Sequence, residues 1–206
     1  MKQQLVLIHG GNTFENYEEY ISCLKNKKVD LEYFRPHSDW KDGLSDALGP
    51  DFDVLFPRMP NGANAQYGEW KIWFERLLKL AGHGAIFIGH SLGAVFLAKY
   101  FSENKSVKKI KAAILIGAPF DDENMGEKLA SFSPGRSLGE FERQVSEIYL
   151  FHSQDDPVVP FSHLKKYKTA LPKAKEMIFD DKGHFNVENF PEIVELIKNI
   201  AARNRF

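Results

Sequence analysis

Six short apolar runs punctuate the chain, and stretches with helical spacing of their apolar residues lie between them. The runs are LVLIH (5–9), DVLFP (53–57), AIFIG (85–89), AAILIG (112–117), IYLFH (148–152) and KEMIFD (175–180). Most are near-continuous in apolar residues rather than alternating, as parallel strands covered on both faces require. Helical periodicity predicts helices over roughly 15–26, 66–81, 92–104, 163–171 and 190–202. In the second of these, Trp70, Trp73, Phe74, Leu77, Leu78 and Ala81 recur at that spacing and read as core. Pro191 opens the last, which carries Ile193, Val194, Leu196, Ile197 and Ile200. Strands alternating with helices give an α/β fold with a mostly parallel central sheet of about six strands.

Two segments break the alternation. Residues 27–50 mix charges, aromatics, Gly and Pro, and read as an irregular excursion. Residues 118–146 allow at most short helices; the segment is long enough for a small cover and too short for a separate cap domain. With no repeat, low-complexity tract or linker-like shift, residues 1–206 read as a single domain.

Charge narrows the function. Against 27 Lys and Arg stand 28 Asp and Glu, a net charge of -1, and no stretch is strongly basic, so nucleic acid is not an expected partner. No run approaches the roughly 18 to 20 apolar residues of a membrane span. The apolar run near the start is not followed by a signal-peptide cleavage pattern and reads as a first buried strand. Cys23 is the single cysteine, so no internal disulfide forms and a reducing, cytoplasmic setting is expected. Cys23 itself reads as a small core residue on a helix.

In open parallel sheets, ligands bind beyond the carboxyl ends of the strands. Three loops there carry reactive residues: GHSLG (89–93), DDPVVP (155–160) and DKGHF (181–185). Gly-x-Ser-x-Gly between a strand and a helix is the pattern of a nucleophile elbow, with Gly89 and Gly93 leaving room for a sharp bend around Ser91. A serine hydroxyl needs an adjacent base, and His184 is placed to serve. An aspartate then fixes the imidazole tautomer. Asp156 precedes Pro157, which biases it toward extended backbone and lets its side chain project; Asp155 suits bonds to turn amides. Donors for an oxyanion are expected from the Leu92 amide and from the loop IHGGNTF (8–14), where Gly11 is the first candidate and Asn12 the next. That loop lacks the spacing and lysine of a P-loop.

With these motifs in order, HGG, GHSLG, DPVVP and GHF, the chain resembles the α/β-hydrolase superfamily over most of its length. Within it, LFPRMPN (55–61) and the tryptophan-bearing helix that follows are similar to the small, cap-poor serine hydrolases related to retinoblastoma-binding protein nine. The resemblance implies a three-layer α/β-hydrolase fold without a large cap domain. It also implies a Ser91, Asp156 and His184 triad, ester-like substrates, and no metal or organic cofactor. The longer insertion at 27–50 departs from the smallest members of that group.

Other histidines read as supporting residues. His90 inside the elbow reads as structural, His9 as a loop-orienting residue, and His152 as a neighbour of the acid loop; His37, His83 and His163 read as surface. No His-x-x-x-His or Cys/His cluster suggests a metal. The expected function is a serine hydrolase cleaving carboxylic esters of small to medium acyl groups. Thioester or peptide-amide cleavage by the same residues, or ligand binding on a hydrolase scaffold without catalysis, are the alternatives. Phe120, Met125 and Phe132 are candidates to line an apolar acyl pocket, with core packing as the other use of those side chains. The short inserted segments suggest an open site for compact substrates.

Overall fold

A computed structural model describes residues 2–135 and 137–203. Its centre is a six-stranded parallel sheet: β1 (Gln3–Ile8), β2 (Phe52–Leu55), β3 (Ala85–His90), β4 (Ile110–Ile116), β5 (Val145–Ser153) and β6 (Lys175–Phe179), in the order β2-β1-β3-β4-β5-β6. The apolar runs become strands because alternate residues feed two cores. Val6, Phe87, Ala113 and Leu150 point to one face, and Leu5, Ile88, Ile114 and Phe151 to the other.

Helices cover both faces. On one lie α3 (Tyr67–Leu80), α4 (Leu92–Glu103), α5 (Gly139–Gln144) and α6 (Ser162–Ala170), which contribute Trp70, Phe96, Phe141 and Tyr167 to the first core. On the other lie α2 (Trp40–Leu48) and α7 (Pro191–Ala202), with Leu44 and Ile197 in the second. The remaining helix, α1 (Tyr17–Asn26), buries none of its residues. The expected three-layer architecture is therefore present.

Three expectations need correction. Residues 27–50 are not irregular throughout, since α2 forms there. Asp39 accepts from the Lys41 amide (2.9 Å) and Asp42 accepts from the Asp39 amide (3.2 Å), capping the start. Trp40, Leu44 and Leu48 recur every fourth residue and are buried. The charges of Lys41, Asp42 and Asp46, with Gly43 among them, obscured that stripe. Trp73 is 46 % exposed, because it sits on the outer side of α3 from Trp70 and Phe74. Cys23 is only half-buried, because α1 lies outside both cores. Among the described residues, no helix is long and apolar enough to cross a membrane.

Helix α2 also reaches the functional edge. Its Trp40 indole N–H donates to the Phe185 carbonyl (2.9 Å) and its amide donates to the Val187 carbonyl (2.9 Å). Trp40→Phe keeps most of the apolar bulk but leaves a buried carbonyl unpaired. Its expected cost is about 1–3 kcal/mol in urea unfolding, and an unchanged midpoint contradicts the structural role of this bond.

Candidate active site

The junction of β3 and α4 bends too sharply for side chains at its flanks. A Cβ at Gly89 would lie 2.5 Å from the Ala94 Cα, and one at Gly93 only 2.4 Å from the Ile8 carbonyl oxygen. Ser91 between them has φ 54° and ψ -121°, a conformation that L-residues avoid at a cost of about 1–3 kcal/mol. The neighbours hold it there: its amide donates to the Ile116 carbonyl (2.8 Å), and its carbonyl accepts from Ala94 (2.9 Å). Ser91 occupies the cap position of α4, yet its hydroxyl makes no capping bond. The oxygen is left to face the site.

Beyond β5 and β6 the loops supply the other two groups. His184 Nδ1 lies 2.8 Å from Asp156 Oδ2, with the His184 side chain 8 % exposed and that of Asp156 fully buried. The second carboxylate oxygen of Asp156 accepts from the amides of Val158 (2.8 Å) and Val159 (2.9 Å), which fixes the carboxylate plane. A carboxylate only accepts, so the ring nitrogen facing Asp156 is the donor of this bond. Asp155 turns away. It accepts from the Ser153 hydroxyl (2.5 Å) and the Gly183 amide (2.9 Å), and the Ser153 bond is the main cause holding its carboxyl below the usual range.

His184 and Asp156 meet over Gly117, a residue that the sequence motifs do not single out. Its φ is +54°, and a Cβ there would lie 3.2 Å from His184 Nδ1 and 3.5 Å from Asp156 Oδ2. The bare backbone after β4 leaves the floor on which the His–Asp pair rests, one residue from the carbonyl that holds Ser91. The signal was available: Gly117 follows an apolar run, where functional loops collect.

Buried or part-buried imidazoles tie down the loops around Ser91. His90 Nε2 bonds to the carbonyl of His184 (2.8 Å), and His152 Nε2 to that of Val159 (2.9 Å) in the acid loop. His9 accepts from the Met59 amide (2.9 Å) and bonds through Nδ1 to the Gly10 carbonyl (2.5 Å). His163, expected at the surface, is fully buried. It accepts from the Phe120 amide (3.0 Å) and bonds to the Glu123 carbonyl (3.0 Å), so it anchors the start of 118–146. Its position near the start of α6, on the face turned to the core, explains the burial.

On the oxyanion side, Gly11 and Leu92 both border a cavity with Ser91. The Asn12 amide is already used by the Gly62 carbonyl (2.9 Å). Only glycine fits at position 11, because a Cβ would lie 2.7 Å from the Gly62 oxygen. The Leu92 amide opens α4, where the helix dipole favours negative charge.

The cavity is narrow, about 20 Å³, and is bordered by Met125 and Leu129 as well as Ser91. Pro119, Glu127 and Lys128 complete the side that the 118–129 segment gives it. Of the three side chains expected at an acyl pocket, Met125 borders the cavity. Phe132 is fully buried against Trp70 (ring centroids 5.1 Å apart) and belongs to the core, and half-buried Phe120 packs edge-on against Tyr167 (5.0 Å) at its margin. A wider cavity of about 860 Å³ lies at the opposite, amino-terminal edge of the sheet, between Gln3, Gly84 and Lys109. Among the described residues, no group of three or more His, Cys, Asp or Glu is placed to hold a metal ion.

A family profile described as serine hydrolase matches residues 36–199, a span that contains Ser91, Asp156 and His184. The chain belongs to the serine hydrolase family. It is 29% identical over 153 residues to the serine hydrolase RBBP9 of Rattus norvegicus, covering 73% of this chain and 79% of that one. Its fold is similar to that of the ydeN gene product from B. subtilis, with a TM-score of 0.77 at 18% identity over 98% of this chain and 100% of that one. A meta-cleavage product hydrolase from Pseudomonas fluorescens is also similar, with a TM-score of 0.66 at 14% identity, covering 98% and 91%. These neighbours show the α/β-hydrolase fold, and the family profile makes the chain a hydrolase.

Burial lowers the pKa values of His90, His152 and His9 below 6.5, so folding favours their neutral forms. An unfolded chain protonates them near about pH 6.5. Their contribution to stability is therefore present above that pH and is lost as pH falls below it, by at most about 1.4 kcal/mol per pH unit for each fully neutral imidazole. Urea midpoints are expected to hold from pH 8 to 7 and to decline steadily from about 6.5 downward. A midpoint constant from pH 7 to 5 contradicts this account of the buried imidazoles.

Proposed function

We propose that this serine hydrolase cleaves carboxylic esters, with Ser91 as nucleophile, His184 as general base and Asp156 as the group that orients it. The observation that carries the reading is the buried 2.8 Å bond between His184 Nδ1 and Asp156 Oδ2, above the floor that adjoins the strained Ser91. In this reading Ser91 Oγ attacks the acyl carbonyl while His184 Nε2 takes its proton. The oxyanion is held by the Leu92 and Gly11 amides. His184 then protonates the leaving alcohol, and water activated by the same nitrogen hydrolyses the acyl-enzyme to release the acid. The substrate is a small ester-like molecule, and no step in this sequence calls on a metal or organic cofactor.

The small cavity beside Ser91 fits a compact substrate better than an extended peptide. A fluorophosphonate probe is expected to add once to the native protein, as read by intact mass, and not at all to Ser91→Ala. A folded native protein that stays unlabelled overturns the nucleophile and brings forward ligand binding without catalysis.

The two aspartates separate the roles further. Asp156→Asn removes the acceptor that sets the tautomer, and ester turnover is expected to fall by about three to four orders of magnitude in kcat. Asp155→Asn loosens the 181–183 loop and is expected to cost less than about tenfold. The reverse ranking in steady-state kinetics assigns the acid to Asp155 instead.

A further inference from the structure

The strap beside Ser91 is polar and mostly exposed. Residues 121–128 read DDENMGEK, and Met125 is their one large apolar side chain. It is half-buried, whereas Asp122, Glu123, Asn124, Gly126, Glu127 and Lys128 are exposed. It also borders the small cavity beside Ser91. An apolar side chain turned inward from a polar loop presents hydrocarbon to whatever enters beside the nucleophile.

The strap is held from three sides. Asp122 Oδ1 accepts from the Leu129 amide (2.7 Å), closing the loop on itself. From beneath, His163 grips the Phe120 amide and the Glu123 carbonyl, and Lys166 pairs with Asp121 (2.8 Å) and Glu123 (2.5 Å). Across the cavity, Asn12 Nδ2 donates to Glu127 Oε1 (3.1 Å), and Lys128 pairs with Glu15 (2.8 Å). Those ion pairs are exposed and individually weak. The buried imidazole and the loop-closing carboxylate are firmer. A strap fixed this way relaxes only partly when one side chain is shortened, so the released space remains as cavity.

Building on the assignment of Ser91 as nucleophile, we infer that Met125 limits the length of acyl group this hydrolase accepts, favouring short groups over long ones. Met125 and Leu129 border the small cavity beside Ser91, where an acyl group bonded to that serine has to find room. Longer acyl chains meet the Met125 side chain, and its thioether can be shortened without touching the groups assigned to the chemistry.

The test compares p-nitrophenyl esters and N-acetylcysteamine thioesters of acetate, butyrate and hexanoate across the wild type, Met125→Ala and Met125→Phe, each checked for wild-type urea stability. The wild type is expected to favour acetate over hexanoate in kcat/KM by about tenfold or more. Met125→Ala is expected to raise the hexanoate-to-acetate ratio by about tenfold, and Met125→Phe to lower the butyrate-to-acetate ratio. A wild type that prefers hexanoate, or ratios that move in neither folded variant, overturns the inference whichever leaving group is cleaved. Absence of turnover of every ester and thioester by the folded wild type overturns instead the assignment of Ser91 beneath it.

Discussion

The close seating of one backbone on another at the start of α4 is the constraint from which the rest of the site follows. With no Cβ at Gly93, the first turn of the helix rests against the carbonyl at the end of β1. With none at Gly89, the last residue pair of β3 can turn beneath Ala94. That contact forces Ser91 into a positive φ, and the strain is sustained because β3 is buried along its whole length between two cores. Such conformations persist where surrounding structure over-determines them. Parallel register then carries the geometry sideways: His90 of β3 pairs with Ile116 of β4, whose carbonyl takes the Ser91 amide and whose successor is the glycine beneath His184.

Around this bend the protein uses histidine as a structural connector. Imidazole offers a donor and an acceptor on opposite sides of a small flat ring, so a single side chain can pin a loop that lacks secondary structure. His9 and His163 use both nitrogens in this way, while His90 and His152 each secure one carbonyl. Burial makes the charged form of His90 and His152 unfavourable. The acid loop is pinned twice, by His152 at the Val159 carbonyl and by Asp156 at the Val158 and Val159 amides.

Much of this was legible in the sequence because the strands are near-continuous apolar runs and the motifs follow them directly. The elbow glycines, the serine and the loop aspartates and histidine could be placed at one sheet edge without knowing any contact. What could not be read was burial on a helix whose periodicity is masked or short. Trp40, Leu44 and Leu48 form a clear stripe only once the intervening charges are seen to face outward. His163 lies among lysines and looks like a surface residue until α6 is docked. Trp73 erred in the other direction: it is adjacent in sequence to Phe74, yet about 100° around the helix from it. Phe120 and Phe132 show that an aromatic in an irregular segment near a site belongs to the core as readily as to a pocket.

The imidazole anchors share a property that bears on how this scaffold can change. His90, His152 and His163 hold carbonyls, and His9 and His163 hold amides, and every residue supplies a carbonyl and all but proline an amide. The loop positions they grip are therefore secured without reference to side-chain identity. Substitutions in the strap and in the acid loop can reshape the entrance while the frame that locates Ser91 stays registered. Variation in what the enzyme admits is in this way decoupled from the geometry of the bend, which makes the covering loops the natural place for specificity to diverge.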